Sequence, residues 1–145
     1  MISEKSAKVT ILTCIGLFLA LQLWPVNRQP EREQGLVEAP EDVLRILERS
    51  CFDCHSNRTR WPWYGYVAPF SWLVADHIKE GREALNFATW DLYDEQEQLE
   101  LREEAWDEVD LGKMPPDYYL LLHPEGRLDE SERALLRAWA EGGDL

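Results

Sequence analysis

The sequence predicts an all-α chain, a small helical domain behind one N-terminal transmembrane helix. Three observations predict it. Residues 9–24 read VTILTCIGLFLALQLW without a charge, and Pro25 and Val26 carry the uncharged run to 18 residues, the lower limit for crossing a bilayer as a helix. Downstream, apolar residues recur at helical spacing between helix start and stop signals. No segment alternates apolar and polar residues as a half-buried strand does, and no internal repeat is visible.

Taken in order, residues 1–8 read as a cytoplasmic N-terminus, because Lys5 and Lys8 precede the apolar run and positive charge stays inside. Residues 9–26 read as the anchor, with all that follows outside the cytoplasm. A cleaved signal peptide is the alternative, but the run ends in ALQLWP, which lacks a small-x-small cleavage pattern. Cys14 follows Thr13 and reads as an ordinary anchor residue. Residues 27–39 read as a linker. The stretch 25–40, PVNRQPEREQGLVEAP, has three prolines and a glycine and would reach about 45 Å if extended at ~3.1 Å per residue.

The domain is expected over residues 40–145. PEDVLRILER (40–49) is its first helix, with Pro at the start, acids in the first turn and Arg near the end. Val43, Leu44, Ile46 and Leu47 keep one face apolar. Residues 69–85 are a second helix, weakened late by Gly81. Residues 94–110 are a third, strongly acidic, with sparse apolar positions at Leu99, Leu101, Trp106 and Val109. A short helical turn falls within 115–122. Residues 129–140 are the last helix, begun by Asp129 with Glu132 in capping-box spacing and stopped by Gly142–Gly143.

Composition limits the functions open to the chain. Its 145 residues suffice for one domain. The formal charge of −13 leaves no basic footprint for nucleic acid, and it suits a partner with a basic docking surface. Cys14 stands apart from Cys51 and Cys54, so a multi-disulfide framework is excluded.

The chemistry concentrates in SCFDCHSNRTRWPWY (50–64). Cys51-Phe52-Asp53-Cys54-His55 is C-x-x-C-H, the haem c attachment signature. Two thiols three apart on a helical turn can add to the two vinyl groups on one porphyrin edge, and the next residue brings an imidazole beneath the ring. Other readings of the motif demand more of the chain. A zinc site needs two further ligands at metal spacing, and only His77 and His123 remain, far apart. A thiol oxidoreductase sits beside a βαβ pattern that is missing here. A structural Cys51–Cys54 disulfide would close too short a loop to restrict the unfolded chain much. Haem needs an aromatic crevice, for which Trp61 and Trp63 follow at once. It also needs charges near its propionates, for which Arg58 and Arg60 stand between motif and tryptophans.

Electron-transfer haems often take Met as the second axial ligand. Met114 lies in LGKMPPDYYLLLHP (111–124), freed by Gly112 before it and held out of helix by Pro115. His77 and His123 are rivals. An open or water-bound sixth position is a further alternative, which would make the chain a haem-based sensor or a peroxidase-like protein. A non-haem C-x-x-C interaction module is the last.

With these residues laid out, the chain resembles the small bacterial haem-binding domain family of c-type cytochromes. The resemblance rests on SCFDCHSNRTRWPWY, APFSWLVADHIKEGREALNF and GKMPPDYYLLLHPEGRLDESE. It implies a cytochrome-c-like helical domain behind an N-terminal membrane segment, with one covalently attached haem c. It also implies that Cys51 and Cys54 are the attachment residues, His55 the proximal ligand and Met114 an axial-Met element. The expected protein is therefore a single-pass inner-membrane electron carrier. Its domain faces the periplasm and passes single electrons between redox partners.

Overall fold

A computed structural model describes residues 4–29 and 32–142. Residues 1–3 of the expected cytoplasmic segment, 30 and 31 of the expected linker and 143–145, which include Gly143 of the expected helix stop, lie outside them. The described residues are all-helical. Seven α-helices are joined by loops and three short 3₁₀ turns, with no strand among them. The helices are α1 (Glu4–Leu21), α2 (Glu41–Ser50), α3 (Phe52–His55), α4 (Phe70–Ala84), α5 (Glu95–Asp110), α6 (Asp117–Leu122) and α7 (Glu130–Ala140). The described residues of Met1–Gln29 and Trp61–His77 form one compact unit, and those of Pro30–Arg60 and Ile78–Leu145 form another.

The first unit corrects the expected membrane anchor. α1 stops at Leu21, and a turn follows before Pro25. The side-chain amide of Gln22 holds this turn, donating to the Ala68 carbonyl at 3.3 Å and accepting from the Ala68 amide at 2.9 Å. The uncharged helical stretch, residues 9–21, therefore rises about 20 Å, against about 30 Å of bilayer hydrocarbon. The rest of α1 carries Glu4, Lys5 and Lys8. No helix among the described residues is long and apolar enough to cross a membrane. This overturns the single-pass placement in an inner membrane and the localisation drawn from it. Counting uncharged residues took in Gln22, Leu23, Trp24, Pro25 and Val26, which are not helical. Elsewhere in this unit, the Arg28 guanidinium donates to the Gly65 carbonyl at 2.9 and 3.1 Å and lies over the Trp61 and Tyr66 rings.

The second unit is built on α2, α5 and α7. Val43, Ile46 and Leu47 recur at three- and four-residue spacing on α2 and are buried, as the sequence pattern predicts. Val43, Leu47, Phe52, Phe87, Trp90, Val109, Leu136 and Trp139 are core residues of one cluster. Arg49 joins α2 to α7 through a two-pronged pair with Glu132 at 2.7 and 2.8 Å. Arg133 donates to the Val109 carbonyl at 2.9 Å, tying α7 to the end of α5. α7 begins with the capping box expected from Asp129 and Glu132, and α5 begins with the same device built from Asp94 and Glu97. Residues 34–37, within the expected linker, lie along 87–90. The Val37 amide donates to the Phe87 carbonyl and the Trp90 amide to the Gly35 carbonyl.

Candidate functional site

The Cys51 motif is a single helical turn pinned from several sides. The Cys51 amide still donates to Leu47 and so ends α2, while the Cys51 carbonyl accepts from the amides of Cys54 at 3.2 Å and His55 at 2.9 Å. This puts both thiols on one turn. They are free rather than joined. Burial pushes the Cys51 thiol up to about 12 and the Cys54 thiol up to about 11, so both are protonated near neutrality. Among the described residues, no group of three or more His, Cys, Asp or Glu is placed to hold a metal ion.

Between the cysteines, Phe52 turns into the core and stacks on Phe87 with ring centroids 5.7 Å apart. α4 crosses close above Cys54 at Gly81. The helix runs on through this glycine to Ala84, so the residue read as a weak point is where two backbones meet.

His55 is held by the chain that leaves α4. Its Nδ1 lies 3.1 Å from the Leu85 carbonyl oxygen, and its own carbonyl accepts from the Phe87 amide at 2.8 Å. A carbonyl accepts only, so Nδ1 carries the proton in this contact, and the Gly81 backbone also bonds the ring. Burial lowers the pKa of this imidazole and favours the neutral form that binds a metal. The donor set is thus two neutral thiols on one turn and a neutral, tautomer-fixed imidazole beside them. Sulfur and imidazole donors of this kind fit a haem group.

The other predicted residues divide between the two units. Arg58 and Arg60 belong with the motif, but carboxylates already hold them. Arg58 pairs with Glu33 at 2.6 and 3.0 Å and Arg60 with Asp53 at 3.1 Å. Met114 lies in the same unit, in the loop between α5 and α6, and is partly exposed. Its amide and that of Lys113 both donate to the Glu108 carbonyl. His123 stacks on Tyr119 and faces Glu125. Trp61 and Trp63 belong to the first unit with His77, and Trp63 is exposed. An open cleft of about 500 Å³ in the second unit is walled by Arg45, Arg49, Arg60, Asp42, Glu48 and Glu132. Ile46 and Leu135 complete its lining, which includes none of the aromatic residues expected around haem.

Sequence reading missed Asp53 and Tyr119. The side chain of Asp53, inside the motif, is only 12% exposed. It accepts from the Arg60 amide at 3.0 Å and from the Tyr119 hydroxyl at 3.0 Å. Burial, followed by the neighbouring Asp53 carboxylate, holds the Tyr119 phenol above its ordinary range, so it remains a donor. The available signal was an acid set between two cysteines, which needs nearby donors if it is not to face solvent.

Comparison with known proteins bears on the cofactor. The family model described as "Haem-binding domain" matches residues 16–142, most of the chain, and the chain belongs to that family. It is also 29% identical over 118 residues to the cytochrome c peroxidase Ccp of Escherichia coli (strain K12). The match covers 78% of this chain but spans only 25% of that relative's length. No solved structure matches the chain. The cofactor is therefore a haem.

Proposed function

With membership of the haem-binding domain family as the premise, we propose that this chain is a c-type, cytochrome-c-like electron carrier. Its one haem is fastened through thioether bonds to Cys51 and Cys54. His55 Nε2 and the Met114 thioether would hold its iron. The bound haem supplies a one-electron couple. The chain's own residues hold it, fix the imidazole and limit the access of water.

The observation that carries this reading is the contact between His55 Nδ1 and the Leu85 carbonyl. Such a bond fixes the tautomer and turns the other ring nitrogen toward a metal. The two partly buried thiols on the same turn support it, since neither is committed to a disulfide. Met114 is supported by its place in an irregular loop of the same unit, with its backbone tied to Glu108. The acidic charge of the chain suits redox partners with basic docking surfaces.

The test is optical spectroscopy on ferric protein made alongside a cytochrome c maturation system. The expected spectrum is low-spin with a thioether-to-iron charge-transfer band that Met114→Ala abolishes. A high-spin spectrum in the parent protein would overturn the carrier reading and point to an exchangeable sixth position.

A further inference from the structure

We propose that Asp53 and Tyr119 form a latch that holds the Met114 loop against the Cys51–His55 turn. Tyr119 would be a positioning residue for the thioether ligand. This rests on the haem reading above, and it adds a means of keeping the second ligand in place.

The loop is short and held at both ends. At its start, the Glu108 carbonyl accepts the amides of Lys113 and Met114 at 2.9 and 3.0 Å, while Gly112 takes a φ of +69° that other residues rarely adopt. At its end, Pro115 and Pro116 lead into α6, where Tyr119 donates its hydroxyl to Asp53 Oδ2 at 3.0 Å. Asp53 lies between the two haem-attachment cysteines, so this bond joins the two parts of the chain that carry the proposed iron ligands.

Both partners are fixed before they meet. The Tyr119 ring stacks on His123 at 4.4 Å, and on its other contact Gly126 leaves space that a Cβ would fill to 3.1 Å. Asp53 Oδ1 accepts from the amide and guanidinium of Arg60, and Oδ2 accepts from the phenol at 3.0 Å and more distantly from Arg60 Nη2 at 3.4 Å. A hydrogen bond to a carboxylate that is largely shielded from water is among the stronger kinds. Without it, α6 keeps its stacking but loses this hydrogen bond to the motif, and the loop gains freedom to carry Met114 away.

The experiment measures cyanide affinity of the ferric holoprotein, because cyanide competes for the position that Met114 would hold. Apparent affinity rises with the fraction of molecules whose sixth position is open. Met114→Ala sets the limit of full opening. Tyr119→Phe keeps the ring and removes one oxygen, and Asp53→Asn keeps the shape and weakens the acceptor. Each is expected to bind cyanide roughly tenfold more tightly than the parent. The double variant is expected to bind no more tightly than the stronger single one. A role in packing alone would lower the melting temperature and leave cyanide affinity where it was. If Met114→Ala binds cyanide more tightly while Tyr119→Phe and Asp53→Asn match the parent, the latch is overturned and the haem reading stands. If Met114→Ala itself matches the parent, the ligand assignment fails and the latch with it.

Discussion

A methyl group on Gly81 would stand 2.9 Å from the carbonyl oxygen of Cys54, closer than real side chains approach a backbone. α4 can lie this near the motif only because position 81 has no side chain. Gly81→Ala should therefore destabilise the protein by about 1–2 kcal/mol, since overpacking against rigid backbone outweighs the gain in helix propensity. Denaturant unfolding checks this. An unchanged or raised midpoint would contradict the close approach.

Phe87 links the motif to the core. It is 1% exposed, lies between Phe52 and Trp90 at 5.7 and 5.8 Å, and its amide holds the His55 carbonyl. Phe87→Ala should cost about 4 kcal/mol. It should also loosen the haem environment, read as a broadened Soret band in protein that still carries the cofactor. Thermal unfolding gives the first quantity and absorbance the second.

The Arg49–Glu132 pair gives stability a pH dependence of defined sign. Hydrogen bonds from Arg49 lower the Glu132 carboxyl below its ordinary value of 4.5. A depressed carboxyl stabilises the fold above the unfolded-state value, and that stability is lost as pH falls through the lower folded-state value. Glu132→Gln should cost about 1 kcal/mol near neutrality, the upper end for a partly exposed pair. The gap between variant and parent should shrink as the pH is taken to about 3. Urea midpoints across that range test it, and a constant gap would contradict it.

Local signals in this sequence were legible where the physics is local. The C-x-x-C-H spacing needs one helical turn, and residues 52–55 form one. Asp129 with Glu132 announced the start of α7, and Asp94 with Glu97 carried the same signal for α5 without being read. Distant partners were not legible. Nothing near Arg58 in the sequence indicates Glu33, and nothing near Asp53 indicates Tyr119, because the fold sets those meetings. Gly81 looked like a defect from propensity alone, and only the crossing of α4 over Cys54 gives it a purpose. The misread anchor has a similar cause. Hydropathy counts charges along a run, whereas the length of α1 is set where Gln22 turns its amide to Ala68.

Replacing the proposed thioether by a second imidazole tests the ligand directly. Met114→His should leave the iron low-spin and lower the midpoint potential by on the order of 100 mV, because Met ligation raises it relative to His. Redox titration of both proteins measures the shift. Equal potentials would place Met114 away from the iron.

The central claim is that thioether bonds join one haem to Cys51 and Cys54. The intact mass of protein produced with a cytochrome c maturation system, taken under denaturing conditions, tests it most directly. The expected result is the polypeptide plus one haem, with the added mass absent from the Cys51→Ser, Cys54→Ser double variant. A mass equal to the bare polypeptide, from protein whose haem is released on denaturation, would contradict it.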